Sequence, residues 1–514
     1  MQILQKMFKL GEKPEGSTYK AVFVAAFAAF GGILYGFDTG TISGILTMPE
    51  VEVIFNDGNA FSSGKSSLIT SILSAGTFVG AITAPYLSDT IGRRIGMLIG
   101  CGIFCVGITV QTAGMSIATL CVGRVIAGLG VGVISSIVPL YQSEAAPTWI
   151  RGAVVCCYQW AITIGLLLAA CVDYGVQNRT DSGAYRIPIA LQYAWAMILF
   201  IGMFLLPETP RFRVKQDRLE DAKKSLAFLR GLPVDHPAVE SELAEIRANY
   251  EYECSFGSST FADCFKKGGS QRKRMFTGIG LQALQQLSGV NFIFYYGTSF
   301  FKNIGIANSF IITVILNVVN VVMTIPGIMF VEISGRRKLL LAGAAGMCIS
   351  ELVVAIVGCI TNSAVGNKIL LAFSCTFIAS FAASWGPVAW VVVGEIYPLR
   401  VRAKAVALSS ASNWLFNFGI AFATPYMVDS GPGNADLKSK VFFIWGGFAF
   451  VAFFFTYFFV YETKGLTLEQ VDELYDNVTL AHLSSKFVPQ AQFNDKRFVA
   501  ELEKAEDENV EHKV

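Results

Sequence analysis

"DTIGRR", residues 89–94, returns as "EISGRR" at residues 332–337, and each hexamer separates two long apolar runs. The echo extends outward in both directions. Glu144-Ala-Ala-Pro147-Thr-Trp-Ile-Arg151 matches Glu395-Ile-Tyr-Pro398-Leu-Arg-Val-Arg402, and Glu208-Thr-Pro210 matches Glu462-Thr-Lys464. The offsets between partners are 243, 251 and 254 residues, so three signatures recur in one order and nearly one register. The chain reads as a duplication of a single plan.

Composition says where that plan lives. Of 514 residues, 53% are hydrophobic and only 15% are charged, whereas a soluble domain is normally about a quarter charged. A bilayer core demands about 20 apolar residues per helix. Twelve segments meet that demand: 20–44, 66–87, 95–116, 118–141, 153–175, 187–206, 275–301, 309–331, 339–361, 367–393, 403–427 and 440–461. They are numbered helix 1 to helix 12 in chain order. The fold class is an all-α membrane protein of twelve transmembrane helices in two six-helix bundles. The expected organisation is a cytoplasmic N-terminus (1–19), a first bundle (20–206), a cytoplasmic linker (207–274), a second bundle (275–461) and a cytoplasmic tail (462–514). Residues 1–18 lack an apolar core with a small-residue cleavage site, so helix 1 is expected to be retained.

Arg93-Arg94, Arg151, Arg336-Arg337-Lys338 and Arg400/Arg402/Lys404 all fall in alternate connections. The positive-inside rule puts those connections, and both termini, in the cytoplasm. The acids that accompany them, Asp89, Glu144, Glu208, Glu332, Glu395 and Glu462, are not needed for topology. Paired with Arg93, Arg94, Arg151, Arg336, Arg337 and Arg402, they can lock the inner helix ends in one state and release them in another. In the linker, "EDAKKSLAFLRGL" and "AVESELAEIRANYEYE" have helical apolar spacing and alternating charge, which predicts short amphipathic surface helices. The tail reads as helical at "TLEQVDELY" and disordered beyond it.

Other classes recede. A net charge of +2 gives no handle for nucleic acid, and no nucleophile–base pair or metal-ligand cluster is evident, so neither an enzyme, a cofactor nor a metal is expected. Nine of eleven cysteines lie in or at the ends of apolar segments and none forms a CxxC pair, which reads as packing rather than a disulfide framework. His236, His482 and His512 all fall in cytoplasmic segments, so imidazole is no membrane proton relay.

The ordered set of GRR loops, PETPR at 207–211, YETKG at 461–465, QQLSGVNFIFYYG at 285–297 and the run Trp385 to Trp390 resembles the sugar porter family of the major facilitator superfamily. The fungal hexose (monosaccharide) transporters are the nearest group, and the match spans roughly residues 20 to 475. The resemblance implies the major facilitator fold and alternating access, with two bundles rocking about one sugar site. It also implies a helical bundle in the central loop that braces the inward-closed state. Pro85 and Tyr461 depart from the family's usual Gly and Pro, and both leave the loop charges intact.

A hexose presents hydroxyls on its rim and C–H on its faces. Neutral amides suit it, because they donate and accept together, whereas full charges cost desolvation that a neutral ligand does not repay. The membrane segments supply Gln159 on helix 5, Gln285, Gln286 and Asn291 on helix 7, Asn317 and Asn320 on helix 8, and Asn413 and Asn417 on helix 11, with Trp390 and Trp414 as aromatic surface. Asn413 and Asn417 share a face. Gln285 and Asn291 do not, unless Ser288-Gly289 breaks helix 7. By resemblance, the sugar contacts are Gln159, Gln285, Gln286, Asn291, Asn320, Trp390 and Asn417, with Asn413 beside them. Ala382 stands where some facilitative relatives carry an acid. Helix–helix hydrogen bonding is the plain alternative for any one amide. Tyr295 and Tyr296 are candidate outer-gate residues, with aromatic packing the alternative.

Asp38, in "GGILYGFDTGTISG" (31–44), is a carboxylate at membrane depth, and such groups usually pair. Arg124 in "CVGRVIAGLGVG" lies at a matching depth on helix 4. If rocking parts them, Asp38 takes a proton, which makes proton symport the expected mechanism; proton-coupled relatives carry this Asp and Arg, and some fungal hexose facilitators keep the same Asp. Facilitated uniport and a transporter-like sugar sensor remain open, the short tail favouring a carrier. Glu351 on helix 9 has no assigned partner. Asn178-Arg-Thr180 is a glycosylation sequon expected outside, and Asn477-Val-Thr479 one expected inside and unmodified. Expected partners are a monosaccharide, a proton and the lipid of the plasma membrane, with a monomeric functional unit.

Overall fold

A computed structural model describes residues 18–487, except 147–150, 256–259, 267–269, 304–307, 361–362, 399–400 and 467. Its described residues are helical and contain no strand. Helix 1 runs Thr18–Ala28 and, after a kink at Ala29, Phe30–Ile45. Helices 2 to 6 are Ser63–Ile91, Arg93–Ala113, Ile117–Ala145, Arg151–Val176 and Gly183–Leu205. Helix 7 is split into Gln271–Leu287 and Val290–Asn303, and helix 10 into Ala364–Ala382 and Trp385–Glu395. Helices 8, 9, 11 and 12 are Ser309–Ser334, Arg336–Ile360, Arg402–Val428 and Val441–Phe459. Helix 7 thus begins four residues inside the stretch expected to be linker.

Ten of these spans are long and apolar enough to cross a bilayer by composition alone. The two that fall short are helices 7 and 11, the carriers of Gln285, Gln286, Asn291, Asn413 and Asn417. Polar content and a break are what cost them the signal. Outward-facing side chains such as Val79, Val122, Phe204, Val322, Ile349 and Phe450 stay exposed, which suits a lipid surround.

Within the first half, helix 1 packs on helix 5 and helix 4 on helices 2 and 3; within the second, helix 11 packs on helix 7 and helix 9 on helices 10 and 12. Small residues allow the close crossings. A Cβ on Gly36 would sit 2.0 Å from the Ile162 carbonyl, and one on Gly165 2.4 Å from that of Ile33, so helices 1 and 5 touch backbone to backbone. The halves meet most extensively along helix 2 with helix 11 and helix 5 with helix 8, and also where helix 1 meets helix 7 and helix 5 meets helix 10.

The linker folds as expected into short helices, Pro210–Lys215, Leu219–Arg230 and Pro237–Ser255. Lys215 pairs with Asp89 at 3.1 Å, and Arg230 reaches both Glu242 and the Ala145 carbonyl at the end of helix 4. After helix 12, Leu468–Asn477 forms the expected helix and docks through Asp472 on Arg274. The tail beyond Phe487 lies outside the described residues.

Candidate functional site

The site starts from the break in helix 7. Gly289 adopts φ +77°, a left-handed conformation that favours glycine, and a Cβ there would meet the Trp445 ring at 2.4 Å. The break swings Asn291 back onto Gln286, whose Oε1 accepts from it. Gln286 donates to Asn413 Oδ1 at 2.8 Å, and Asn413 donates to Gln282 Oε1 at 2.7 Å and Gln285 Oε1 at 2.8 Å. Gln285 in turn donates to the carbonyls of Trp385 and Gly386 at the start of the second piece of helix 10. Five amides from helices 7 and 11 therefore orient one another. Gln282 was not singled out from the sequence, though its spacing of three and four from Gln285 and Gln286 places it on their face.

Helices 7, 8 and 11 also carry buried polar atoms with no protein partner: both amide ends of Asn320, Oδ1 of Asn317, Nδ2 of Asn417, Nε2 of Gln282 and Nε1 of Trp414. Each unmade bond costs about 1–3 kcal/mol, so a neutral ligand rich in hydroxyls has much to gain there. Gln159 comes from the other half to within 3.5 Å of the Cβ position of Gly386, whose carbonyl Gln285 bonds. Trp390 lines a cavity between the halves, with Pro85, Ser136, Leu140 and Val155 opposite. The cavity lies on the side of the basic loops.

The opposite side is closed. Ser63 donates to Asp429 at 3.0 Å, Ser67 to the Phe422 carbonyl at 2.6 Å and Ser74 to Asn417 at 3.0 Å, a ladder of hydroxyls along helix 2 against helix 11. Asn434 donates to Ser63, Ser43 shares a hydrogen bond with Thr298, and Lys302 reaches the Thr47 carbonyl. Tyr295 donates to Asn417 at 3.0 Å and Tyr296 to the Ala421 carbonyl at 2.7 Å, so both tyrosines are buried in the closed side. The serine ladder escapes a sequence reading, because isolated serines carry no spacing signal until their partners are known. Burial raises the Asp429 carboxyl above its ordinary range, and Ser63 partly offsets this.

The loop charges repeat in space as they do in sequence. Arg93 pairs with Glu144 at 3.0 Å and Asp89 at 3.6 Å; Arg336 pairs with Glu395 at 2.8 Å and Glu332 at 3.1 Å. Glu208, Glu462, Arg94 and Arg337 depart from the expected acid–arginine pairing. Glu208 accepts the backbone N–H of Arg94 and Glu462 those of Arg336 and Arg337, each acid capping a helix start. Arg94 and Arg337 donate to carbonyls at the ends of helices 6 and 12, and Arg402 to the Tyr397 carbonyl. Helix ends with unfilled donors and acceptors outcompete the guanidinium–carboxylate match there. Burial pushes Glu208 above the usual carboxylate range, opposed by the N–H groups of Thr209 and Arg94. The Arg151 side chain lies outside the described residues.

Asp38 and Arg124, both almost fully buried, stand 4.0 Å apart, the pairing expected from depth. Glu351 is buried with neither carboxylate oxygen bonded. Asp173 on helix 5, not singled out earlier, is buried against Gly44. Asn178 is exposed in the loop between helices 5 and 6. No disulfide and no metal-ligand cluster occurs among the described residues.

Two bundles with buried neutral amides in the core, shut on one side and hollow on the other, define a carrier of small polar solutes. The family profile described as "Sugar (and other) transporter" matches residues 24–475, and the chain belongs to this sugar transporter family of the major facilitator superfamily. It is 52% identical over 502 residues to the "Major facilitator-type transporter ecdD" of Aspergillus rugulosus, covering 94% of this chain and 92% of that one. It is 49% identical over 480 residues to the "High glucose sensor RGT2" of Saccharomyces cerevisiae, covering 92% of this chain and 63% of that one. Among solved structures, the proton:xylose symporter XylE bound to 6-bromo-6-deoxy-D-glucose superposes with a TM-score of 0.78 at 27% identity, covering 89% of this chain and 100% of that one. The protein is a multi-pass membrane sugar transporter and not an enzyme.

Proposed function

We propose that the protein carries a hexose, glucose above all, across the plasma membrane by alternating access coupled to a proton. Both termini face the cytoplasm, the amide pocket holds the sugar, and a single copy is the working unit. In this reading Gln159, Gln285, Gln286, Asn291, Asn320, Trp390, Asn413 and Asn417 contact the sugar, Tyr295 and Tyr296 close the outer side, and the loop charges hold the inner helix ends. The observation that carries it is the set of buried, uncharged, unbonded amide atoms on helices 8 and 11, together with Gln159 of the other half at Gly386 beside Gln285. Neutral donors and acceptors match a polyol, and no carboxylate intrudes where Ala382 stands.

Asp38 supports coupling by its place. It pairs with Arg124 inside the first half, and neither Asp38 oxygen is hydrogen-bonded to an amide, so rocking of the bundles can change the pair without the sugar bonding Asp38. Protonation on one side and release on the other would then accompany each sugar. The test is uptake of radiolabelled hexose in cells lacking their own hexose transporters, with and without a protonophore, for native protein and Asp38→Asn. Coupled transport predicts that the protonophore abolishes accumulation and that the variant only equilibrates sugar. Native uptake that ignores the protonophore makes the protein a uniporter.

Similarity to a glucose sensor favours one further reading, that the protein reports glucose as well as carrying it. Glucose-dependent signalling that survives Gln285→Ala while uptake is lost would argue for a receptor state separate from transport.

A further inference from the structure

Beyond the docked helix of the tail the chain forms one more short 3₁₀ helix, Ala481–Lys486, which packs on helix 12. Side chains three apart eclipse one another in such a helix, so they fall into three rows. Ala481 and Ser484 make a buried row. Leu480, Leu483 and Lys486 make the second, with Leu480 52% and Leu483 42% exposed and Lys486 exposed beside them. His482 and Ser485 make the third.

The buried row is firmly held. Ser484 accepts the backbone N–H of Glu462 at 2.9 Å, the same glutamate whose carboxylate caps the start of helix 9. The His482 ring lies flat on Tyr457 of helix 12, with centroids 5.8 Å apart and 5° between the planes. Tyr457 is itself fixed by Arg337, which donates to its carbonyl at 2.9 Å and stands 5.1 Å from its ring. The leucine row is therefore presented on a rigid mount.

The stack on Tyr457 also sets the level of that row. Tyr457 comes two residues before the end of helix 12 at Phe459, a rise of about 3 Å, so the short helix lies where helix 12 leaves the apolar layer. At this level helix 12 exposes Phe454, Tyr457 and Phe458. Leu480 and Leu483 add two large apolar side chains there, Lys486 ends the row, and residues 477–487 contain no Asp or Glu. An apolar row with a cation beside it and no acid is the make-up of a segment that lies in the membrane interface. The lysine stem can follow apolar surface while its ammonium reaches the headgroups.

We propose that Ala481–Lys486 is an interfacial anchor for anionic phospholipid of the inner leaflet. Leu480 and Leu483 enter the boundary between headgroups and acyl chains, and Lys486 pairs with a headgroup phosphate. Lipid is the occupant because the row stands at the bilayer surface beside exposed Tyr457 and Phe458. The anchor goes beyond the transport reading and takes from it only the cytoplasmic side of the tail. Through Ser484 and Glu462, lipid bound there would fasten the tail to the inner ends of helices 9 and 12.

The test uses the full-length protein, in a background with its native cysteines replaced that retains uptake, reconstituted into vesicles. Leu483→Cys and Ser485→Cys each carry a small environment-sensitive fluorophore, and the lipid includes a quencher brominated near the top of the acyl chain. The vesicles are phosphatidylcholine alone or mixed with phosphatidylserine. The anchor predicts several-fold stronger quenching at position 483 than at 485, and a gain when phosphatidylserine is present. Lys486→Gln should reduce that gain about fivefold, the worth of one cation at an anionic surface, and high salt should reduce it too. Equal quenching at the two positions, or none in either lipid, overturns the anchor and leaves the leucine row to a protein partner. Quenching at 483 that is the same in both lipids overturns the anionic headgroup. Uptake by each variant in neutral vesicles checks that the carrier is intact. The fluorescence readout does not depend on coupling, so failure of the proton-coupled reading would leave it standing.

Discussion

The serine ladder offers the sharpest quantitative test of how the outer side is held shut. Ser63, Ser67 and Ser74 each give one hydrogen bond from helix 2 to helix 11, at 3.0, 2.6 and 3.0 Å. Opening the outer side must part these helices and break all three, whereas the contacts within each half survive. A net contribution of about 1 kcal/mol per bond makes Ser74→Ala raise the open population about fivefold, and the triple alanine variant about a hundredfold. The reporter is Thr298→Cys, buried at the neighbouring seam beside Ser43. Its labelling by an impermeant thiol reagent follows the open fraction as long as the closed form dominates. Comparison with and without the ladder cancels any effect of the reporter itself. Labelling rates that stay within twofold across the series, at normal surface expression, would refute the ladder as the latch. A large effect from Ser74→Ala alone would instead place the energy in Asn417, which Ser74 shares with Tyr295.

Gln285→Ala removes a side chain that makes three hydrogen bonds in the amide network, and should lower kcat/KM for hexose uptake about 10- to 100-fold at unchanged surface expression, read by initial rates. Asp429 makes the outer latch pH-sensitive. Its carboxyl is raised by burial in the closed form and returns toward its ordinary range when opening exposes it, so the closed form binds the proton more tightly. Acidifying the medium through the interval just above the ordinary carboxylate range therefore favours closure, and raising pH removes that gain; Thr298→Cys labelling should slow on acidification more steeply with Asp429 present than in Asp429→Asn, where only the falling thiolate fraction of the reporter remains. Asn178→Gln should sharpen and speed the band on a denaturing gel, as loss of an outer-loop glycan requires, whereas Asn477→Gln should change nothing.

The spans were legible because crossing a bilayer is a local demand: each helix satisfies its own backbone and needs only length and apolarity. The duplication was legible for the same reason, since the loop signatures are contiguous. The break at Ser288-Gly289 could be anticipated from glycine alone. What Glu208, Glu462, Arg94 and Arg337 bind could not, because charge suggests a salt bridge and only assembled helix ends reveal free N–H and carbonyl groups nearer to hand. Asp38 and Arg124 met as depth suggested.

By itself, then, the chain's residue order determined a twelve-span, twofold-repeated membrane protein with a stock of buried amides. Folding decided which amides bond to each other and which are left to bind. Gln285 meets a carbonyl 101 residues away and Ser74 an asparagine 343 residues away. Hydrogen bonds act over about 3 Å and depend on direction, so partners this distant in sequence are chosen only when helices have packed.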